Sequence, residues 1–352
     1  MILAFKPDFE EAAKRWDAFL HGEILERPVI CVTAPRDGHA EAARIPYRER
    51  VLGDLDEIID QMLRAAEATY YGGEAIPTEG LSFGPDEIAC FCGGELKWSE
   101  GSGDTNWSEP FVESWADVLP LQIQQENTLW QRMLRFYERA AERLAGKALL
   151  SPPDLHTNMD LLAGLRGAGR LCMDLMDIPE VIDRAMDSAR AIFPTLWKAV
   201  ATAGKMYERG FCQNTMYSMT GAAYLQCDFS CMLSPDMFRR WVLPALEEEA
   251  QTVKHAVYHW DGPGALVHAD ALIGSKGLDT LSYVPGVGRS HLDHVELLQR
   301  VQAGGKAVEV WGGPDEVKEL HRSLRPEKTL YRVWTPTQSE AQGLLEWFKK
   351  NT

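Results

Sequence analysis

The sequence predicts an α/β protein built as a single (β/α)8 TIM barrel, with an inserted hairpin-like region around residues 80–115. Three observations carry this prediction. Over the second half, strand-like and helix-like segments alternate four times with short connections, which implies parallel strands joined by helical crossovers. The first strand-like segment, "RPVICVTAP", is a continuous apolar and β-branched run between two prolines, the pattern of a strand buried on both faces. The alternative, a doubly wound open sheet, would carry a glycine fingerprint after that strand, and "TAPRDG" is not one. No low-complexity linker divides the chain, so residues 1–352 read as one domain.

Taken in order, Phe9, Ala12, Ala13, Trp16, Phe19 and Leu20 recur at helical spacing and predict an amphipathic helix ahead of "RPVICVTAP". Asp54 to Tyr71 is helical in pattern, and "YGGEAIPTEGLSFGP" reads as strand and loop. The stretch 86–111, with alternation, glycines and two tryptophans, reads as the inserted hairpin. Leu121 to Leu144 predicts a long helix closed by Gly146, followed by "KALLSPPDL" as strand and loop. Asp160 to Met176 and Pro179 to Gly204 predict two helices, the second opening on Pro-Glu.

"GFCQNTMYS" (210–218) reads as the fourth strand. Ser234 as N-cap and Pro235 at the first helical position open a helix to Val253. Strands then follow in "HAVYHWDG", "LDTLSYV", "KAVEVWGG" and "TLYRVWTP", separated by helices at 265–273, 291–303 and 314–323 and closed by one at 338–350.

Composition narrows the function. The chain is 45% hydrophobic and 25% charged, as globular proteins are, and its net charge of -16 argues against nucleic acid, which needs clustered Lys and Arg. No run of eighteen apolar residues exists, so no membrane span is expected. Seven scattered cysteines and a start that turns charged after five residues predict reduced thiols and a cytoplasmic location. Serine-hydrolase elbows, phosphate-binding P-loops and H-E-x-x-H motifs are missing.

In a barrel, chemistry collects where strands end at their carboxyl side. That rule selects Arg36 and His39, then Glu79, then Asp154, His156 and Asn158. It adds Asn214 and Tyr217, Tyr283, the pair Glu309 and Trp311, and finally Arg332, Trp334 and Thr335. His259 and Asp261 are the sharpest pair: alternate strand residues share a face, so both enter the barrel mouth if Tyr258 and Trp260 pack outward. They fit two ligands of a divalent metal, an acid–base couple, or a hydrogen-bonded pair that merely closes the strand. Cys90 with Cys92 and Cys227 with Cys231 suit either a soft metal or plain packing, packing being the commoner case for lone thiols; Cys227, between a strand end and a helix start, is the exception. Arg289 lies in the glycine loop "PGVGRSH", which suits either a carboxylate or phosphate grip or a plain tight turn. His291 and His294 are expected on the surface, and Trp98, Trp107 and Trp115 either line a lid or pack the insertion.

"CDFSCMLSPDMFRRWVLPALEEE" (227–249), "YHWDGPGALVHADALI" (258–273) and "GLDTLSYVPGVG" (277–288), with weaker support at 160–182, resemble the uroporphyrinogen decarboxylase superfamily. Within it the chain is similar to the branch labelled trimethylamine corrinoid protein 2 or corrinoid methyltransferase-like. The resemblance implies a barrel with its site in the mouth and a small substrate. It also implies a partner protein that carries the corrinoid (cobalamin). Methyltransferases of this kind bind zinc through a His-x-Cys pair and a later cysteine. His259 matches the histidine, but Asp261 stands at the first cysteine, and "TPTQSEA" after the last strand offers Thr335, Thr337 and Gln338 instead. The expected zinc set is therefore His259 and Asp261 with Glu309 or Cys227. Tyr283, Asp154 and His156 join His259 and Asp261 as expected catalytic groups; Arg36, Asn158, Asn214, Trp311, Arg289 and Arg332 are expected to hold substrate. With Arg36 alone in the N-terminal loop, tetrapyrrole decarboxylation is not expected. The alternatives are a metal-free decarboxylase or lyase and a non-catalytic binder of a cobalamin- or tetrapyrrole-like ring.

Overall fold

The computed structural model describes residues 2–40, 42–99, 105–214 and 216–352. Its strands in chain order are β1 (Ile30–Pro35), β2 (Thr69–Gly73), β3 (Thr78–Glu79), β4 (Leu96–Lys97), β5 (Trp107–Ser108), β6 (Leu149–Leu150) and β7 (Phe211–Gln213). They continue as β8 (Met216–Ser218), β9 (Ala222–Gln226), β10 (His255–Asp261), β11 (Leu278–Val284), β12 (Ala307–Gly312) and β13 (Thr329–Trp334). Seven of them form one sheet in the order β2-β1-β13-β12-β11-β10-β9. Every pairing in it is parallel except the antiparallel β1–β2. β3 and β6 form a separate parallel pair, and β6 lies against β7. The fold is thus mixed α/β around a mostly parallel sheet; among the described residues, ladder hydrogen bonds do not join the β3–β6 pair to it.

Parallel strands need crossovers, and the helices supply them while covering the sheet. Leu243–Val253 packs on β9 and β10, Val295–Ala303 on β12, Pro314–Ser323 on β12 and β13, and Gln338–Asn351 on β1 and β2. Ile30, Val32, Val257, Val308, Val310 and Leu330 are at most 0% exposed at the sheet, which accounts for the apolar runs. Ser234 caps its helix as read, accepting from Met237 N at 3.2 Å.

Four elements differ from the sequence reading. The helix placed at 54–71 ends at Ala68, and Thr69–Gly73 folds back as β2; Gly73 takes φ +61 there, and a Cβ would stand 2.1 Å from Ile30 O. The long helix begins at Thr128, capped by Asn127, so 121–127 precedes it. Asp160–Met176 is two helices broken at Gly167, whose φ is +83. The fourth strand was placed at 210–218, but that stretch is the β7–β8 hairpin, and the strand that joins the large sheet is β9 beyond it. The insertion does contain an antiparallel pair, β4 with β5.

Candidate active site

β9, β10 and the loop after β6 end side by side and bring four acids and two histidines together. His156 is 8% exposed at the centre. Its Nε2 is 3.5 Å from Asp154 Oδ2, and its Nδ1 is 3.3 Å from Asp160 Oδ2 and 4.0 Å from Asp228 Oδ2. Gln226, the last residue of β9, donates its amide to Asp154. Asp160 also accepts the backbone N–H groups of Asp228 (3.0 Å) and Phe229 (2.8 Å), so one carboxylate pins the end of β9 against the loop.

The charges follow. Burial opposes a charge on His156, but the hydrogen bonds and charges of Asp154 and Asp160 prevail and raise its pKa well above the ordinary histidine value. Burial likewise pushes Asp154 upward, yet His156, His259 and Gln226 hold it below the ordinary carboxylate value. Burial and the charge of Asp160 raise Asp228, against the lowering pull of His156 and His259. The result is a stable imidazolium among carboxylates, with one carboxyl eased toward its protonated form.

β10 delivers His259 and Asp261 by alternation. Tyr258 and Trp260 are 1% and 0% exposed, Trp260 donating to Ala265 O at 2.9 Å, while His259 is half-buried and Asp261 exposed. His259 acts electrostatically on both Asp154 and Asp228, and Asp261 acts on Asp228. Beneath the loop, buried Glu249 accepts from Thr157 Oγ1 at 2.7 Å and Asn158 Nδ2 at 3.3 Å, and burial raises it to about 8. Asn158 sits at φ +53 and donates to Gln226 O, so its role is to lock the loop to β9.

Asp154 also lines an adjoining cavity of 450 Å³, together with Arg50, Tyr71, Gln213, Asn214 and Arg332. Of the expected residues, Asp154, Asn214 and Arg332 therefore share one cavity, with His156, His259 and Asp261 beside it. Arg36 is elsewhere, its guanidinium spent on the carbonyls of Phe5 and Thr69. Arg289 is exposed on its loop. Tyr283 packs edge-on against Trp260 at 5.2 Å, with its hydroxyl buried and unpartnered among the described residues. Trp311 supports Arg332, whose guanidinium lies 5.2 Å over its ring. His291, expected at the surface, is 1% exposed because its ring bridges Tyr283 O and Trp311 O. Trp115 is buried and donates to Asp174, whereas Trp107 is exposed.

The expected zinc donors do not fit zinc. Glu309 is wholly buried, accepting from Tyr224 at 2.9 Å and Ser282 at 2.5 Å, with Arg332 Nε at 3.5 Å. Burial and the charges of Asp160 and Asp228 hold the Cys227 thiol well above its usual value. Among the described residues no three His, Cys, Asp or Glu side chains are arranged to hold a metal ion.

Sequence reasoning missed Asp160, Gln226, Asp228 and Arg50. Reading "GAAYLQ" as the fourth strand would have put Gln226 and Asp228 at its carboxyl end, under the same rule that found His259.

Fold and site together define an α/β protein with a polar pocket at the carboxyl ends of parallel strands. A solved methyltransferase from Methanosarcina mazei matches it over 97% of this chain and 98% of its own, with a TM-score of 0.64 and 11% sequence identity. That likeness is one of fold. No protein-family model and no curated protein matches the sequence significantly. Among the described residues no helix is long and apolar enough to cross a membrane.

Proposed function

We propose that the chain is a methyltransferase that moves a methyl group between a small substrate in the 450 Å³ cavity and a corrinoid carried by a partner protein. The observation that carries this is Asp154, which both lines the cavity and pairs with the buried His156 imidazolium. The corrinoid would supply the nucleophile that accepts the methyl group. This chain's part is to hold the substrate, exclude water and give a proton to the heteroatom as its bond to the methyl carbon breaks. His156 and Asp154 form the proton couple, Gln226 and Asp160 orient it, and His259 with Asp261 shapes the field from β10. No zinc enters this scheme, which departs from thiol-activating methyltransferases at the position of Asp261.

The same reading treats the chain as one domain, a cytoplasmic member of the uroporphyrinogen decarboxylase superfamily. Its barrel closes through β3, β6 and β7, supported by the β3–β6 ladder and the contact of β6 with β7. The test is methylation of free reduced cobalamin by methyl ethers and methylamines, followed by absorbance. Methylation that drops about 10²-fold or more in Asp154→Asn and His156→Gln supports the proposal. If no donor methylates cobalamin while the protein releases carbon dioxide from a carboxylated compound, the metal-free decarboxylase is the right reading.

A further inference from the structure

We infer that the cavity is a carboxylate-binding site in which Arg50 and Arg332 grip the anion, so that the small substrate proposed above bears a carboxylate group. The substrate assignment rests on the proposed function; the binding itself does not.

The two arginines reach one cavity from distant parts of the chain, Arg332 from β13 and Arg50 from the short helix Tyr47–Leu52. Each is held from behind and left free in front. Arg332 has Nε 3.5 Å from Glu309 and its plane over Trp311; among the described residues nothing hydrogen-bonds its two terminal nitrogens. Glu309 cannot swing away to satisfy them, because Tyr224 and Ser282 hold it and it is fully buried. Arg50 donates Nε to Ile45 O at 3.1 Å and lies 5.6 Å over Tyr47, and among the described residues nothing hydrogen-bonds its two terminal nitrogens. A guanidinium tethered at Nε with a free edge is preorganised for a two-pronged grip on a carboxylate.

The surroundings reinforce the sign. Glu79 on β3 is the acid that Arg50 acts on, and burial pushes it up to about 8. With its pKa that high it keeps its proton at neutral pH and does not neutralise Arg50. Its other neighbour on the wall is the Tyr71 phenol, which stays protonated. Asp154 is the one carboxylate among the described residues that line the cavity, and it pairs with His156. Glu309 offsets Arg332, but among the described residues no ion pair offsets Arg50, so its charge is available to an anion even in a chain of net charge -16.

The probes are methoxyacetate and succinate as carboxylates and 2-methoxyethanol as the neutral counterpart, titrated by calorimetry and by tryptophan fluorescence. Methoxyacetate should bind at least tenfold more tightly than 2-methoxyethanol and weaken as salt rises. Arg50→Met and Arg332→Met should each weaken it tenfold or more, with Arg332→Lys, which keeps charge without the fork, in between. The inference is overturned if neither carboxylate binds, if the neutral ether binds as well, or if both arginine→Met variants, folded by circular dichroism, bind like the parent. Carboxylate binding without any methyl transfer would retire the proposed function and leave this site standing.

Discussion

His156 carries its charge where water cannot help it, and Asp154, Asp160 and Asp228 compensate from three directions. A histidine whose folded pKa is raised adds stability in full below its unfolded value near 6.5, and that contribution is lost as pH climbs through the folded value. His156→Gln should therefore cost about 3 kcal/mol at pH 6 in urea denaturation. The deficit should narrow steadily above pH 7; a pH-independent deficit would mean the ring is uncharged. At this scale the sequence showed His259 and Asp261, because alternation on one strand is local. Asp160 lies only four residues from its partner His156, but its hold on the amides of Asp228 and Phe229, 68 and 69 residues away, is beyond any spacing rule.

Among the elements, β10 does most to aim the site, and it does so with its buried face. Trp260 is fixed by its bond to Ala265 O and its edge-on contact with Tyr283, and that anchor sets the direction of the intervening His259 and Asp261. Trp260→Ala should lower stability by about 3–5 kcal/mol. Trp334→Ala, at a ring 61% exposed on β13, should change it by less than about 0.5 kcal/mol. Equal shifts in urea midpoint would remove the anchoring argument. The strands of the second half were legible because each is a compact apolar run between turn residues. β9 was not, since "GAAYLQ" lacks β-branched residues and follows the β7–β8 hairpin after only three residues (219–221), so the hairpin took the strand's place in the reading. β2 was lost because Thr69–Gly73 extends a helical pattern until Gly73 turns it.

For the whole molecule, the acids matter more than the net charge suggests. Glu87 and Glu249 are 0% and 2% exposed, and burial raises each to about 8; Glu79 on β3 behaves alike. Such a carboxyl keeps its proton in the folded chain but loses it near pH 4.5 when unfolded. The unfolded state therefore binds fewer protons between roughly pH 4.5 and 8, and stability must fall as pH rises across that window. Each fully buried group steepens the fall by up to about 1.4 kcal/mol per pH unit. His156 opens in the same direction above pH 6.5, whereas Asp154, with its lowered value, adds stability only above pH 4 and opposes the trend below that. Thermal unfolding should thus show a maximum near pH 5 and a decline toward pH 8. Glu249→Gln keeps an acceptor for Thr157 and Asn158 but cannot ionise, so it should flatten that decline by about one proton's worth. A stability curve that rises from pH 5 to 8, or one that Glu249→Gln leaves unchanged in slope, would mean these acids are ionised in the folded chain. The neutral partner assigned to Arg50 would then be lost with them.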